Sequence, residues 1–173
     1  AKTMSFISIS IAICVMATIL IILWIHSKLT LKKKNCKKLR RYYRLTHYIN
    51  SPGIQNINIT NSDYKHNLRD YYIKTAFNCC ATGSIKNDFV DICALETCIK
   101  QGVRCLDFEI YSMNDNPVIA VSLDQKNYHI KESYNKIDFS DALTVISNKA
   151  FSESYCPNWN DPLILHFRIM TEN

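Results

Sequence analysis

The chain has 173 residues and a formal net charge of +6, with 47% apolar residues. This length allows roughly one domain plus an appendage. Three glycines and four prolines exclude a collagen-like or low-complexity chain. The positive charge is concentrated, because nine basic and no acidic residues lie between Lys28 and Arg44. Without these nine, 12 Lys and Arg face 15 Asp and Glu, a net charge of −3, which argues against a nucleic-acid-binding protein.

The first predicted element is a transmembrane helix at residues 4–26. Met4 to Ile25 contains no formally charged side chain, and a helix of this length crosses the roughly 30 Å hydrocarbon core. A signal peptide is one alternative, but its apolar region is usually shorter and its basic residues come first. A buried core helix is another, yet a helix that is apolar on all sides fits lipid better.

The basic cluster follows the predicted span, and only Lys2 precedes it. The positive-inside rule therefore predicts a single-pass membrane protein whose C-terminal domain lies on the cytoplasmic side. The cluster either fixes this topology alone or also attracts anionic lipid headgroups. None of the eight cysteines forms a Cys-x-x-Cys pair, which argues against a zinc ribbon or thioredoxin-type motif. We expect the reducing cytoplasm to leave them as free thiols. Asn58-Ile59-Thr60 is a glycosylation sequon that would be used only in the opposite orientation.

Residues 27–69 are predicted as a basic juxtamembrane segment and linker, and residues 70–173 as a folded domain. In chain order the domain has a strand at 71–78, a helix at 88–101, a strand at 103–111, a turn at 114–117, a strand at 117–122, a helix at 138–151 and a strand at 163–169. Asn87 or Asp88 is the predicted N-cap of the first helix. This alternation predicts an α/β domain with about four parallel strands, which is half of a closed barrel. We therefore expect a chain that is truncated at its C-terminus.

The strand at 103–111 carries the clearest chemical signal, because its side chains alternate between two faces. Its apolar face holds Leu106, Phe108 and Ile110. Its other face holds Asp107 and Glu109, which suit half of a Ca²⁺ or Mg²⁺ site, although a merely solvated face is equally compatible. His166 and Arg168 share one face of the last strand. Asn78, Glu109 and Arg168 fall near the C-terminal strand ends, where barrel sites lie.

Five sequence segments, spread over roughly residues 70–173, resemble the X region of phosphatidylinositol-specific phospholipase C. They are Ala76-Phe77-Asn78-Cys79, Gly102-Val103-Arg104-Cys105-Leu106-Asp107-Phe108-Glu109, Pro117-Val118-Ile119-Ala120-Val121, Asn148-Lys149-Ala150-Phe151 and Asp161-Pro162-Leu163-Ile164-Leu165-His166-Phe167-Arg168. The chain looks like a divergent branch of that family, of the type associated with large DNA viruses. The resemblance implies the N-terminal half of a TIM (β/α) barrel. It also implies phosphoric diester hydrolysis of phosphoinositides at a membrane.

The family uses two histidines as general acid and base, and an Asn with carboxylates to hold Ca²⁺. The resemblance places Asn78, Asp107 and Glu109 at that cation site. Phe77 and Val121 stand at the two histidine positions, and neither side chain can transfer a proton.

Arg168 replaces the last carboxylate and would repel a cation. We therefore expect Arg168 to pair with Asp107 or Glu109 and to fill a degenerate Ca²⁺ site with a fixed charge. His129 and His166 are weak candidates to replace the missing histidines.

Two functions follow for a membrane-tethered domain of this kind. The first is a phospholipase C-like phosphodiesterase whose catalysis is weak or absent, so that the sequence leaves enzyme activity open. The second is a non-catalytic module that binds lipid headgroups or a protein. A glycerophosphodiester-type relative is a third possibility, but its His/Glu signature is missing.

Overall fold

The computed structural model describes residues 2–49, 54, 56–57, 60, 65–123 and 132–170. The helices in these ranges are α1 (Lys2–Ile49), α2 (Ile92–Lys100) and α3 (Phe139–Lys149), with a 3₁₀ turn at Leu68–Asp70. The strands are β1 (Thr75–Ala76), β2 (Cys105–Met113), β3 (Asn116–Ile119), β4 (Ile137–Asp138) and β5 (Ile164–Ile169).

The five strands form one mixed sheet with β2 at its centre. One edge of β2 pairs in parallel with β1 and then antiparallel with β3, to which β4 adds antiparallel. The other edge of β2 pairs in parallel with β5. The α/β class is confirmed. The strand predicted at 117–122 is antiparallel to β2, so the prediction of about four parallel strands was wrong. Asn114 and Asp115, both with positive φ, make a two-residue turn, which is too short for a parallel crossover.

Two predicted boundaries also differ. The strand predicted at 71–78 is paired only over Thr75–Ala76. The helix predicted from residue 88 begins at Ile92, where the Asp91 side chain caps it by accepting a hydrogen bond from the Cys93 backbone N–H at 2.7 Å. Asp88 is buried and accepts instead from the Asn35 amide and the Ser84 backbone. Its carboxylate therefore joins distant segments rather than capping a helix.

The apolar core lies between the sheet and the helices α2 and α3. The predicted alternation of β2 is confirmed on this face, where Leu106 and Phe108 are fully buried. Leu95 and Ile99 of α2 and Ile146 of α3 pack on them. Removal of these side chains from water is the main stabilising contribution to the domain. The same packing forces Asp107 and Glu109 to the opposite face.

Arg104, just before β2, is a buried cation held by main-chain oxygens. Its guanidinium donates to the carbonyl oxygens of Ala150 at 2.8 Å and Pro162 at 3.2 Å, and to that of Asp161. It also lies over the Phe151 ring, 5.2 Å from the ring centroid. These contacts join the start of β2 to the segment that leads from α3 into β5.

The apolar part of α1 is long and apolar enough to cross a membrane, and none of the residues in its most apolar stretch is buried. An N-terminal signal sequence has the same properties. The helix continues without a break to Ile49, so the first half of the predicted linker is helical. Cys36 of this extension forms a disulfide with Cys93 of α2, which differs from the expectation of reduced cysteines. No sequence spacing indicates this contact, because the two residues meet only through helix packing.

We expect Arg104→Ala to lower the free energy of unfolding by about 3 kcal/mol, because buried carbonyl oxygens lose their donors. The measurement is thermal unfolding of the full chain in detergent, followed by circular dichroism. Arg69→Ala is the matched control, since the Arg69 side chain is 83% exposed; we expect it to change stability by less than about 0.5 kcal/mol. Equal effects of the two substitutions would contradict the role of Arg104.

Candidate functional site

The site begins where β1 ends. Asn78 has a φ of 47°, a left-handed conformation that Asn tolerates better than most residues. Its backbone N–H donates to the Asp107 carboxylate at 3.0 Å, and its side-chain amide donates to Glu109 at 3.2 Å. The turn therefore directs Asn78 inward while the preceding Phe77 stays 58% exposed.

The register between β2 and β5 brings the polar side chains together. Asp107 pairs with His166, and Glu109 pairs with Arg168. Paired residues of adjacent strands project to the same face of the sheet. Four polar side chains thus converge opposite the apolar core.

The Arg168 guanidinium occupies the centre of this cluster. It donates to both oxygens of Asp107 at 3.0 and 2.8 Å, to Glu109 at 2.7 Å and to the side-chain oxygen of Asn78 at 2.7 Å. The Phe77 ring covers it, with its centroid 4.4 Å from the guanidinium carbon. The ion pair that the sequence indicated is therefore present with both carboxylates.

Glu109 is fully buried, and both of its carboxylate oxygens accept hydrogen bonds. Besides Arg168 and Asn78, its carboxylate accepts from the Ser122 backbone N–H at 2.8 Å and the Tyr111 hydroxyl at 3.1 Å. Tyr111 follows the same alternation as Asp107 and Glu109, so the sequence held a signal for it. The Ser122 contact depends on the path of the chain after β3, which no local pattern indicates.

Charge and burial act in opposite directions on the two central groups. Burial by itself raises the pKa of Asp107, but hydrogen bonds from Arg168, the Asn78 backbone and His166 hold that pKa below its ordinary value. Burial lowers the pKa of Arg168, yet the two carboxylates raise it above its ordinary value. Burial and the nearby Glu109 carboxylate raise the pKa of the Tyr111 hydroxyl. Asp107 and Arg168 are therefore charged, and Tyr111 is a neutral donor, at neutral pH.

His166 lies at the outer edge of the cluster. Its Nδ1 is 2.6 Å from Asp107, and its side chain is 60% exposed. Val121, at the second histidine position, is buried in the apolar core. His129 lies outside the described residues. Of the histidine side chains that the structure describes, His166 is the one at this site.

The three residues predicted for Ca²⁺ do not fit that ion as the site stands. Ca²⁺ takes six to eight oxygen ligands, whereas the oxygens of Asn78, Asp107 and Glu109 already accept hydrogen bonds from one guanidinium. A divalent cation there would have to displace Arg168. Elsewhere in the described chain, Cys36, Asp91 and Cys93 offer ligand atoms close together, but both sulfurs are used by the disulfide.

Comparison with known proteins identifies the family. The sequence profile described as "Phosphatidylinositol-specific phospholipase C, X domain" matches residues 64–172, and the chain belongs to this family. Among solved structures it resembles the crystal structure of PLC21 from L. pealei, with 23% identity and a TM-score of 0.47. That match covers 58% of this chain and 11% of the other chain. A comparison with curated proteins finds no match.

We expect the stability of the domain to fall in acid because of Asp107. Its depressed pKa in the folded state means that its stabilising contribution is present above its ordinary pKa of 3.8 and is lost as the pH falls through the lower folded value. Melting temperatures of the wild type and Asp107→Asn between pH 2 and pH 7 test this. The variant should have a lower melting temperature at pH 7 and a smaller loss on acidification. Parallel pH profiles for the two proteins would contradict the assignment.

Proposed function

We propose that this chain is a membrane-anchored phospholipase C-like domain that does not cleave phosphodiesters. The observation that supports this most directly is Arg168, which donates to every residue assigned to the family's cation site. A fixed monovalent cation neutralises part of the local charge but has no open coordination position for a phosphate oxygen.

The lack of an acid–base pair also supports an inactive site. Phosphodiester cleavage needs one group to accept a proton and another to donate one. Phe77 and Val121 occupy the family's two histidine positions, and both side chains are apolar. His166 is one imidazole without a partner imidazole among the described side chains.

We propose further that the sheet is the N-terminal half of a TIM barrel. The parallel strands β1, β2 and β5 and the connecting helices α2 and α3 support this arrangement. In such a barrel the candidate site lies at the C-terminal strand ends.

For activity, we expect the full chain in vesicles that contain labelled phosphatidylinositol to release no soluble inositol phosphate, with or without Ca²⁺. An active phospholipase C added to the same vesicles is the positive control. Ca²⁺-dependent release above the protein-free background would contradict the proposal.

The same assay is paired with a calorimetric titration of Ca²⁺. The wild type should give no binding heat, whereas Arg168→Gln should give one, because the oxygens of Asn78, Asp107 and Glu109 lose the guanidinium. Arg69→Gln is the control and should behave as the wild type. Tight Ca²⁺ binding by the wild type would show that Arg168 does not fill the site.

We propose that α1 anchors the domain and that membrane lipids are its partners, with phosphoinositide headgroups as the family's substrate class. In the described part of α1, seven basic side chains are exposed, and those nearest the apolar part support attraction to anionic headgroups. The exposed side chains are Lys33, Lys34, Lys37, Lys38, Arg40, Arg41 and Arg44, of which Lys33 and Lys34 lie nearest. This surface also favours the second candidate function, a non-catalytic module that binds headgroups or a protein.

We propose a cytoplasmic position for the domain, on the basis of the Lys and Arg bias around the apolar helix. The Cys36–Cys93 disulfide opposes this orientation, since disulfides persist mainly in oxidising compartments. The sequon at Asn58 distinguishes the two orientations.

In a eukaryotic expression host, we expect Asn58 to remain unglycosylated, so that the chain migrates identically before and after glycosidase treatment. Asn58→Gln is the control. A shift to lower mass on deglycosylation, absent in Asn58→Gln, would place the domain on the opposite side of the membrane.

A further inference from the structure

The extension of α1 beyond its apolar part packs along α2 from its N-cap, Asp91, to Glu96. Lys28 donates to the Tyr134 hydroxyl at 3.1 Å, just before this contact line reaches α2. Lys32 pairs with Asp91 at 2.7 Å, Cys36 is bonded to Cys93, and Arg40 lies 3.6 Å from Glu96. These α1 residues are four apart and therefore share one helix face. Their partners in α2 also advance along the chain, so the two helices run in the same direction. We call residues 28–43 the strut.

The direction of α2 determines which end of the domain meets the start of the strut. The segment before α2 leaves the C-terminal end of β1, where Phe77 and Asn78 contribute to the site. The last turn of α2 leads to Gly102 and the start of β2 at the opposite end of the sheet. The apolar part of α1 therefore emerges on the same side as the candidate site.

The height of Tyr134 above the apolar helix follows from helix geometry. Lys28 lies three residues after Ile25, or about 4.5 Å along the axis. One headgroup layer is roughly 5–7 Å thick. Tyr134, which Lys28 contacts, is therefore at headgroup level if α1 spans a bilayer.

An exposed apolar residue lies on the same side of the domain. Leu123 is 60% exposed, and its backbone N–H donates to the Glu132 carboxylate. Glu132 pairs in turn with Lys86, in the segment between β1 and α2. Leu123 is thus tied to the end of the sheet that carries the site.

The disulfide is the strongest of the contacts that hold the strut. Exposed ion pairs such as Arg40–Glu96 each contribute about 0–1 kcal/mol and weaken in salt. The Cys36–Cys93 bond is covalent and joins the middle of the strut to the first turn of α2. It limits how far the domain can move away from α1, and the ion pairs on either side of it act on the orientation.

We propose that the strut, clamped by Cys36–Cys93, holds the candidate site toward the headgroup layer of the same bilayer that α1 spans. The domain then contacts lipids of its own membrane, in cis, and not those of a facing membrane. This proposal rests on the membrane anchoring proposed above and on an intact Cys36–Cys93 bond. It does not depend on the cytoplasmic position proposed above, because the same bilayer is contacted from either side.

The test uses the full chain in phosphatidylcholine vesicles, with the photocrosslinker p-benzoyl-phenylalanine incorporated at one position at a time. The positions are Ile19 in the apolar helix, Leu123 on the site side and the fully exposed Tyr72 at the opposite end of the domain. Lipid adducts are quantified by mass spectrometry. We expect lipid adducts when the crosslinker is at Ile19 or Leu123, and none when it is at Tyr72.

Cys36→Ser should reduce the Leu123 adduct and leave the Ile19 adduct unchanged. Cys14→Ser, which removes an exposed cysteine of the apolar helix, is the matched control and should change neither. Equal adducts at Leu123 and Tyr72, with Ile19 labelled, would overturn the orientation while anchoring stands. An unlabelled Ile19 would overturn the anchoring itself, and a full Leu123 adduct in Cys36→Ser would overturn the clamp.

Discussion

The contact between Arg168 and the carboxylates of Asp107 and Glu109 determines the chemistry of this domain. Isolated buried carboxylates are costly, and their pairing with a guanidinium offsets that cost only when hydrogen bonds satisfy the remaining oxygens. Here Asn78 and Ser122 supply those further bonds. The same set of bonds keeps the oxygens from binding a metal ion. The bonds that stabilise the two carboxylates are therefore the same bonds that a cation would have to displace.

The charge of this cluster is not fully balanced by Arg168. Two carboxylates face one guanidinium, which leaves one negative charge, and His166 contacts the more exposed carboxylate, that of Asp107. A divalent ion would cancel both charges and could exchange with solution. A covalently attached guanidinium, covered by the Phe77 ring, cannot exchange. Phe77 thus has a packing role over the guanidinium.

The sequence predicted the faces of β2 and β5 because side-chain alternation is a local property. The apolar core and the acidic face of β2 follow from period two alone. That Asp107 lies opposite His166, and Glu109 opposite Arg168, depends on the register between strands far apart in the chain. Local pattern does not determine that register. The sequence therefore predicted that Arg168 pairs with Asp107 or Glu109, but not that it donates four hydrogen bonds to three residues.

Two predictions were wrong, namely the N-cap of α2 and the direction of β3. Asp88 has the composition of an N-cap, but Asn35 from α1 uses its carboxylate, and the cap passes to Asp91. The alternation of strands and helices predicted a parallel β3. The strand is antiparallel because the two-residue turn before it is too short for a parallel crossover. The first error concerns a side chain whose partner is distant in the sequence, whereas β3 pairs with the strand directly before it.

The basic cluster of α1 divides into two groups that charge counting treats as one. Lys28, Lys32 and Arg40 contact Tyr134, Asp91 and Glu96 of the domain, so these cations help to dock the helix. The second group is exposed and consists of Lys33, Lys34, Lys37, Lys38, Arg41 and Arg44. Its last member, Arg44, lies about 28 Å beyond Ile25 along the helix axis. Attraction to headgroups falls off within roughly 8 Å at physiological salt. In an upright helix, only the cations nearest the apolar part therefore act on lipid. Part of the basic cluster thus holds the helix against the domain, which a count of charges does not reveal.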